Sequence, residues 1–375
     1  MKIAIDMIGT SLGSGTKTYN LNFCEYINNY IIKDRIFIFI TRDYLKKINV
    51  SKNENVNYII KPSLLNNIFL RIIWMQLILP FELKFLGINQ LFSPMNMGPI
   101  FLKLFNIKFI LALHSNLPWV FFSKMPGNIV RNYLTKFLME LSIYACDKLI
   151  VDSIFAKNEI TKLLKIEKKK IFPIYLGVDK KYLDNKKNEI YIENFEYKNY
   201  ILSVLSCVKY HNILNLLKGF KLLKKEKNIK LRFIFVLQIL DKDYFNQIKN
   251  FISNNLNNDE IIFFHNLDNK YLINLYRNAN LYVFSSYCEV FGLTTLEAMS
   301  QGCPVLISNR SALAEINSNA ADYFDPDNEH EIKDAMYKSL NDTEHRKKMI
   351  KRGNDYFKIF DWDKTVSETM KVITY

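Results

Sequence analysis

Short runs of contiguous apolar residues recur along this chain and alternate with stretches whose apolar positions fall four apart. In the first half the runs are KIAID from Lys2, RIFIFIT from Arg35, KFILALHS from Lys108 and KLIVDS from Lys148. The second half adds YILSVLS from Tyr200, LRFIFVL from Leu231, IIFFHN from Ile261, LYVFSS from Leu281 and PVLIS from Pro304. Each run reads as a strand. Between them lie segments such as 129–146, where Ile129, Tyr133, Phe137 and Leu141 stand beside Val130, Leu134 and Leu138 and so form a broad helical stripe. Repeated strand and helix units predict parallel sheets covered on both faces. The polar stretch Asp179–Lys198 loses periodicity and is crowded with charge, which places a junction there between two Rossmann-like domains. No internal repeat is visible.

Composition agrees with two domains. A chain of 375 residues with 49% hydrophobic content can fill two ordinary cores. The start, Met1–Asp6, meets an acid after a short apolar-leaning strand and so lacks a secretory core. In the greasiest stretch, Ile68–Leu86, the charge-free run from Ile72 to Phe81 is ten residues, too short to span a bilayer. The five cysteines have no paired spacing, which argues against a metal knot or a disulfide framework and makes a reducing cytoplasm the expected compartment. The net charge of +14 is one-sided. Residues 1–190 hold 27 Lys and Arg against 14 Asp and Glu, and residues 191–375 hold 24 against 23. A basic first half predicts an anionic surface or acceptor, such as acidic lipid headgroups or a lipid diphosphate. No nucleic-acid-reading motif accompanies the charge, so nucleic acid is not an expected partner.

The chemistry concentrates in Cys288–Ser308, CEVFGLTTLEAMSQGCPVLIS. A strand ends in a loop with Glu289 and Gly292, and a helix opens at once. Free amides at a helix start, with the positive end of its dipole, form an anion site that glycine lets a diphosphate approach closely. Glu289 and Glu297 flank that site, and a carboxylate can accept two bonds from a vicinal diol. Thr294-x-x-Glu297 also has the pattern of a capping box, so Glu297 is either a cap or a ligand contact.

The segment resembles the donor-binding signature of retaining family 4 glycosyltransferases, group 1 type. It carries that signature as Glu289, Phe291-Gly292-Leu293, Glu297-Ala298-Met299, Gly302 and Pro304-Val305, and Ser308–Pro326 resembles the family's usual continuation. Tyr175-Leu-Gly-Val-Asp179 resembles the Asn-Gly-Val-Asp that ends the family's first domain, with Leu176 in place of Asn. The resemblance implies an α/β protein of the GT-B fold, two Rossmann-like domains with parallel sheets facing across a cleft. Residues 1–180 would form the acceptor-binding domain, completed by a closing helix at 361–375, and 181–360 the nucleotide-sugar domain.

That resemblance also assigns roles. The donor's diphosphate would meet the amides of Gly292 and Leu293 with Thr294, behind Phe291; its ribose would meet Glu297; its sugar would meet Glu289 and His114, with Asn266 and Leu267 near the base. His114 ends a strand, where ligands of open parallel sheets bind. The glycine-rich stretch Gly9–Thr18 meets neither the P-loop nor the dinucleotide pattern. It reads as a strand-to-helix turn, to which the family gives an acceptor-site meaning through Gly13, Gly15 and Thr16. Where the family places an arginine and a lysine for the diphosphate, this chain has Ser206 and His211. Lys209 or a protonated His211 would supply the cation, the latter making activity fall as pH rises through the histidine range. Three Asp-x-Asp pairs, at Asp241, Asp325 and Asp361, read as turn chemistry, so no metal and no other cofactor is expected.

The expected function is metal-independent, retaining transfer of a hexosyl unit, mannose among the candidates, from a nucleotide sugar to a saccharide or polyprenyl-diphosphate-linked acceptor in surface polysaccharide or lipopolysaccharide assembly. The alternatives are a sugar-nucleotide epimerase or phosphorylase of the same fold, or a binding protein without turnover. Leu64–Leu86 with Trp74 reads as a buried helix in preference to a peripheral membrane contact at the inner face of the cytoplasmic membrane.

Overall fold

A computed structural model describes residues 1–9, 14–27, 34–48, 53–183, 190–193, 195–227, 229–265 and 267–375. It divides into two compact units. The first comprises Met1–Trp119, Val130–Gly177 and Phe360–Tyr375, and the second Val120–Ile129 and Val178–Ile359.

In the first unit, strands β1 (Lys2–Asp6), β2 (Arg35–Thr41), β3 (Val56–Lys61), β4 (Gln90–Ser93), β5 (Lys108–Leu113), β6 (Lys148–Val151) and β7 (Ile171–Pro173) form one sheet in the order β3-β2-β1-β4-β5-β6-β7. Every pairing is parallel. Ile3, Ala4, Ile5 and Asp6 are all buried, as a strand covered by helices on both faces requires. The helix Trp362–Thr374 completes this unit: Asp361 caps it by accepting from the Asp363 amide, and Trp362 packs its ring against Tyr19. Gly177 lies directly beneath, where a Cβ would stand 2.2 Å from the Trp362 nitrogen.

In the second unit, β8 (Tyr200–Cys207), β9 (Arg232–Ile239), β10 (Ile261–His265), β11 (Leu281–Phe284), β12 (Val305–Ser308) and β13 (Asp322–Phe324) take the order β10-β9-β8-β11-β12-β13, again wholly parallel. The chain therefore reverses direction across the sheet between β8 and β11. Such a switch point leaves a crevice beyond the strands' carboxyl ends, where open α/β sheets bind ligands. Val120–Ile129, inside the first domain by the sequence reading, clusters with this unit because Phe121 stacks on Tyr287 at 5.9 Å and Lys124 lies over both rings.

Two sequence expectations change. The helix Ile129–Ala145 forms, but burial falls on Leu138, Met139, Ser142 and Ile143, while Ile129, Val130, Leu134 and Phe137 of the apolar stripe are exposed. The stretch expected as a buried helix is instead broken into a helix Ile68–Ile73, a wide π turn Trp74–Ile78 and a helix Leu79–Phe85. Pro80 lacks the N–H that would reach back to the Gln76 carbonyl, which accounts for the widened turn. One face packs inward through Arg71, Trp74, Met75, Leu79 and Leu83; the other is exposed. Trp74 is thus a core residue, not a surface anchor. Among the described residues no helix is long and apolar enough to cross a membrane.

Candidate functional site

The switch point of the second sheet is where the sequence signature lands. β8 ends at Cys207 and runs into a turn, Lys209–His211, closed by Asn212 in the left-handed conformation (φ 55°). β11 ends at Phe284 and runs into the Glu289 loop. The two ends are laced together: Ser285 Oγ donates to the His211 carbonyl at 2.8 Å and the Tyr287 amide donates to the Tyr210 carbonyl at 2.8 Å. The backbone of Glu289 is held on both sides, its amide donating to Ser311 Oγ at 3.0 Å and its carbonyl accepting from the Ala312 amide at 3.2 Å.

His211 occupies the space between. Its Nδ1 lies 2.6 Å from the Ser206 carbonyl, an acceptor only, so Nδ1 carries a proton. Its Nε2 lies 3.1 Å from Glu289 Oε1. His211 is buried and bridges the end of β8 to the Glu289 loop. The residue in the lysine register is thereby held at both ring nitrogens, and Ser206, in the arginine register, anchors it through its backbone carbonyl. Lys209 is exposed on the same turn.

Gly292 precedes the helix Leu293–Ser300 with φ +94°, and a Cβ there would stand 2.7 Å from Leu313 Cδ2. Backbone conformation and packing both demand glycine. Phe291 is buried behind it. The helix start leaves the Leu293 and Thr294 amides without intrahelical acceptors. Thr294 Oγ1 accepts from the Tyr282 hydroxyl at 2.8 Å, so the capping-box alternative is corrected: Gly292 is the cap position and no side chain caps it.

Glu297 is released from capping and held otherwise. The Tyr276 hydroxyl donates to its Oε2 at 3.1 Å, with Tyr182 beside it. Burial pushes its carboxyl above the usual carboxylate range, and nearby Lys181 and the tyrosine hydroxyls draw it partly back. Leu267 is half-buried just after β10; Asn266 lies outside the described residues.

The first unit prepares a second group. His114 follows β5, its amide donating to Asn96 Oδ1 at 2.6 Å. Its Nδ1 sits 2.9 and 3.1 Å from the two Asp152 oxygens, and Tyr19 lies over the ring at 4.4 Å. Its Nε2 is buried and has no hydrogen-bond partner among the described residues. Thr16 Oγ1 lies 3.5 Å from Asn96 Nδ2. Gly15 and Thr16 belong to the first turn of the helix Ser14–Tyr26 instead of a loop, and a Cβ at Gly15 would meet nothing within 4 Å. Gly13 lies outside the described residues.

Asp152, Asn96, Tyr276 and Tyr182 escaped the sequence reading. For Asp152 a signal existed, since it follows a strand run at its carboxyl end as His114 does. The tyrosines carry none. Asp241 and Asp361 cap helices and Asp325 pairs with Arg310, and among the described residues no group of three His, Cys, Asp or Glu could hold a metal ion.

Residues 185–356 match the family model described as glycosyl transferases group 1. An O-antigen chain mannosyltransferase of Salmonella typhimurium is 26% identical over 238 residues, 64% of this chain and 62% of that protein. The O-antigen chain mannosyltransferase B of Escherichia coli is 26% identical over 249 residues, 65% of this chain and 64% of that protein. The similarity thus spans somewhat less than two thirds of either relative. Among solved structures, a glycosyltransferase from Rickettsia africae superposes with a TM-score of 0.72 at 19% identity, over 99% of this chain and 97% of that one. A sucrose-phosphate synthase from Thermosynechococcus elongatus gives 0.74 at 16% identity, over 99% and 98%.

Proposed function

We propose, from the match of residues 185–356 to the family model for group 1 glycosyl transferases and a fold that is that of the GT-B glycosyltransferases, that this chain transfers a hexosyl unit from a nucleotide sugar to a saccharide acceptor. The observation that carries this reading is the Glu289–His211 pair beside the Gly292 helix start, at the second sheet's switch point. The Leu293 and Thr294 amides, beside His211, meet the diphosphate, and Glu297 accepts from the ribose diol. Glu289 keeps an oxygen for a sugar hydroxyl.

In the reaction the sugar C1–O bond to the diphosphate breaks, the acceptor oxygen bonds C1, and the acceptor's proton passes to the departing phosphate. Charge developing on that phosphate is met by groups already in place, so no metal is required. Retention of configuration follows if the acceptor enters on the face the diphosphate leaves. Mannose is the favoured sugar and a lipid-linked glycan of a surface polysaccharide the favoured acceptor, because two relatives bear the name O-antigen chain mannosyltransferase.

A melting-temperature screen against nucleotide sugars tests the reading, since a ligand of the folded state alone raises the melting point. One donor, nucleoside-diphosphate mannose first, is expected to raise it and then to lose its sugar to acceptor in crude membrane lipid. A panel with no shift overturns the proposal. Epimerised sugar from donor alone, or saturable binding without transfer, replaces it with the epimerase or the binding protein.

Glu297 supports a second expectation. Its raised carboxyl favours the protonated form in the fold, so it costs stability as pH rises from the ordinary carboxylate range through its raised value. Glu297→Gln should melt above wild type at neutral pH, with the gap closing in acid. It should also weaken donor binding about tenfold or more, the worth of a hydrogen bond to a charged group. Calorimetry across pH, with and without donor, reads both effects; a pH-independent gap with unchanged affinity removes Glu297 from the site.

A further inference from the structure

The segment 68–85 has its polarity inverted. Its one arginine, Arg71, is buried against Gly9, where a Cβ would stand 2.8 Å from Arg71 Cδ, while its bulky apolar residues point outward. Phe69, Ile73, Leu77, Phe81 and Phe85 are 60%, 51%, 64%, 65% and 92% exposed. They fall four apart. In an uninterrupted α-helix of 3.6 residues per turn such a row drifts by roughly 40° at each step and would wind around the axis. The π turn at Trp74–Ile78, with more residues per turn, takes back part of that drift and keeps the row on one side. Gln76 locks the turn by donating to the Gly98 carbonyl at 3.1 Å and accepting from the Ile100 amide at 3.0 Å. Phe81 also meets the ring of Phe105, which sets the exposed Leu104 beside the row.

Charge decides what covers this face. Between Asn55 and Met139 the only acid is Glu82, and it is tied to Lys61 at 2.7 Å. Lys84, next to Phe85, and Lys103, next to Leu104, are exposed. The surface is therefore apolar along a line and cationic at its margin, within a half of the chain that carries a surplus of 13 positive charges.

We propose that this face docks the protein on an anionic lipid bilayer, with Phe81 and Phe85 entering the headgroup–acyl boundary and Lys84 and Lys103 meeting anionic headgroups. A row of large apolar side chains flanked by lysines is the pattern of helices that lie in a membrane interface. The argument stands apart from the transferase reading, for it uses no residue of the donor site.

The test sediments the full chain with vesicles of phosphatidylcholine alone and of phosphatidylcholine mixed with phosphatidylglycerol. Wild type is expected to bind the mixed vesicles, more weakly as salt rises. The double variant Phe81→Ser with Phe85→Ser should lose about tenfold or more of that binding. Lys84→Glu with Lys103→Glu should abolish the preference for anionic vesicles. All four side chains are exposed, so melting temperature and donor-induced shift should stay at wild-type values in both variants, separating a failure here from a failure of the transferase reading. Wild type that binds neither vesicle, or serine variants that bind as well as wild type, overturns the proposal. So does a concentration-dependent dimer that the serine variants abolish, which would assign the face to a second copy of the chain.

Discussion

Glu289→Ala is expected to lower sugar transfer by roughly a hundredfold to a thousandfold, the range found when one preorganised polar contact to the reacting group is removed. Two losses combine. The carboxylate no longer meets the sugar, and His211, whose Nε2 lies 3.1 Å from Glu289 Oε1, loses the partner that holds its ring in place. The loop should survive, because Ser311 and Ala312 hold the backbone of residue 289 independently of its side chain. Steady-state transfer assays beside thermal melts check this. Glu289→Gln, which keeps the shape but not the charge, should fall between the two. Turnover near the wild-type rate in the alanine variant would falsify the assignment of Glu289, whatever the remainder of the site does.

Gly177→Ala should be the most damaging small change to stability. A methyl there would stand 2.2 Å from the Trp362 nitrogen, 2.6 Å from the Asp361 carbonyl carbon and 2.7 Å from the Trp362 Cα. Those are backbone atoms, so no rotamer relieves the clash. Relief requires the helix Trp362–Thr374 to lift, and it buries Trp362, Val366, Met370 and Ile373 while Thr365 Oγ1 donates to the Tyr175 carbonyl at 2.7 Å. The cost should sit near the top of the overpacking range, about 3 kcal/mol, or a fall of about 4 °C in melting temperature for a chain of this length. Gly15→Ala is the contrast, since a methyl there meets nothing within 4 Å and should leave the melt nearly unchanged. Equal melting temperatures for the two variants would show that the closing helix is not docked on Gly177.

Much of the site was legible from residue order. Glu289, Gly292 and Glu297 sit within one strand-loop-helix step, and local rules govern each link of it: glycine for a positive φ, free amides where a helix opens. The capping box was legible too, and wrong, because Thr294 and Glu297 found tyrosines from other elements before they found their own helix. Four strands, β3, β4, β7 and β13, were absent from the sequence reading. β4, β7 and β13 are only three or four residues long, and Gln90 at the head of β4 interrupts its apolar run. The apolar face of 68–85 illustrates the reverse error: periodicity reports that a helix has a greasy side, and not whether that side is covered.

By itself, then, the order of residues determined the alternation of strand and helix, the parallel α/β class and the uncapped helix start at Gly292, because each is set by neighbours within a few positions. The pairing of His211 with Glu289, that of His114 with Asp152 and the outward apolar row of 68–85 were decided only by tertiary structure. His211 and Glu289 are 78 residues apart, and His114 and Asp152 are 38 apart. Sheet order brings each pair together, placing β8 beside β11 and β5 beside β6. A hydrogen bond across adjacent strand ends joins side chains that no local pattern in the chain pairs.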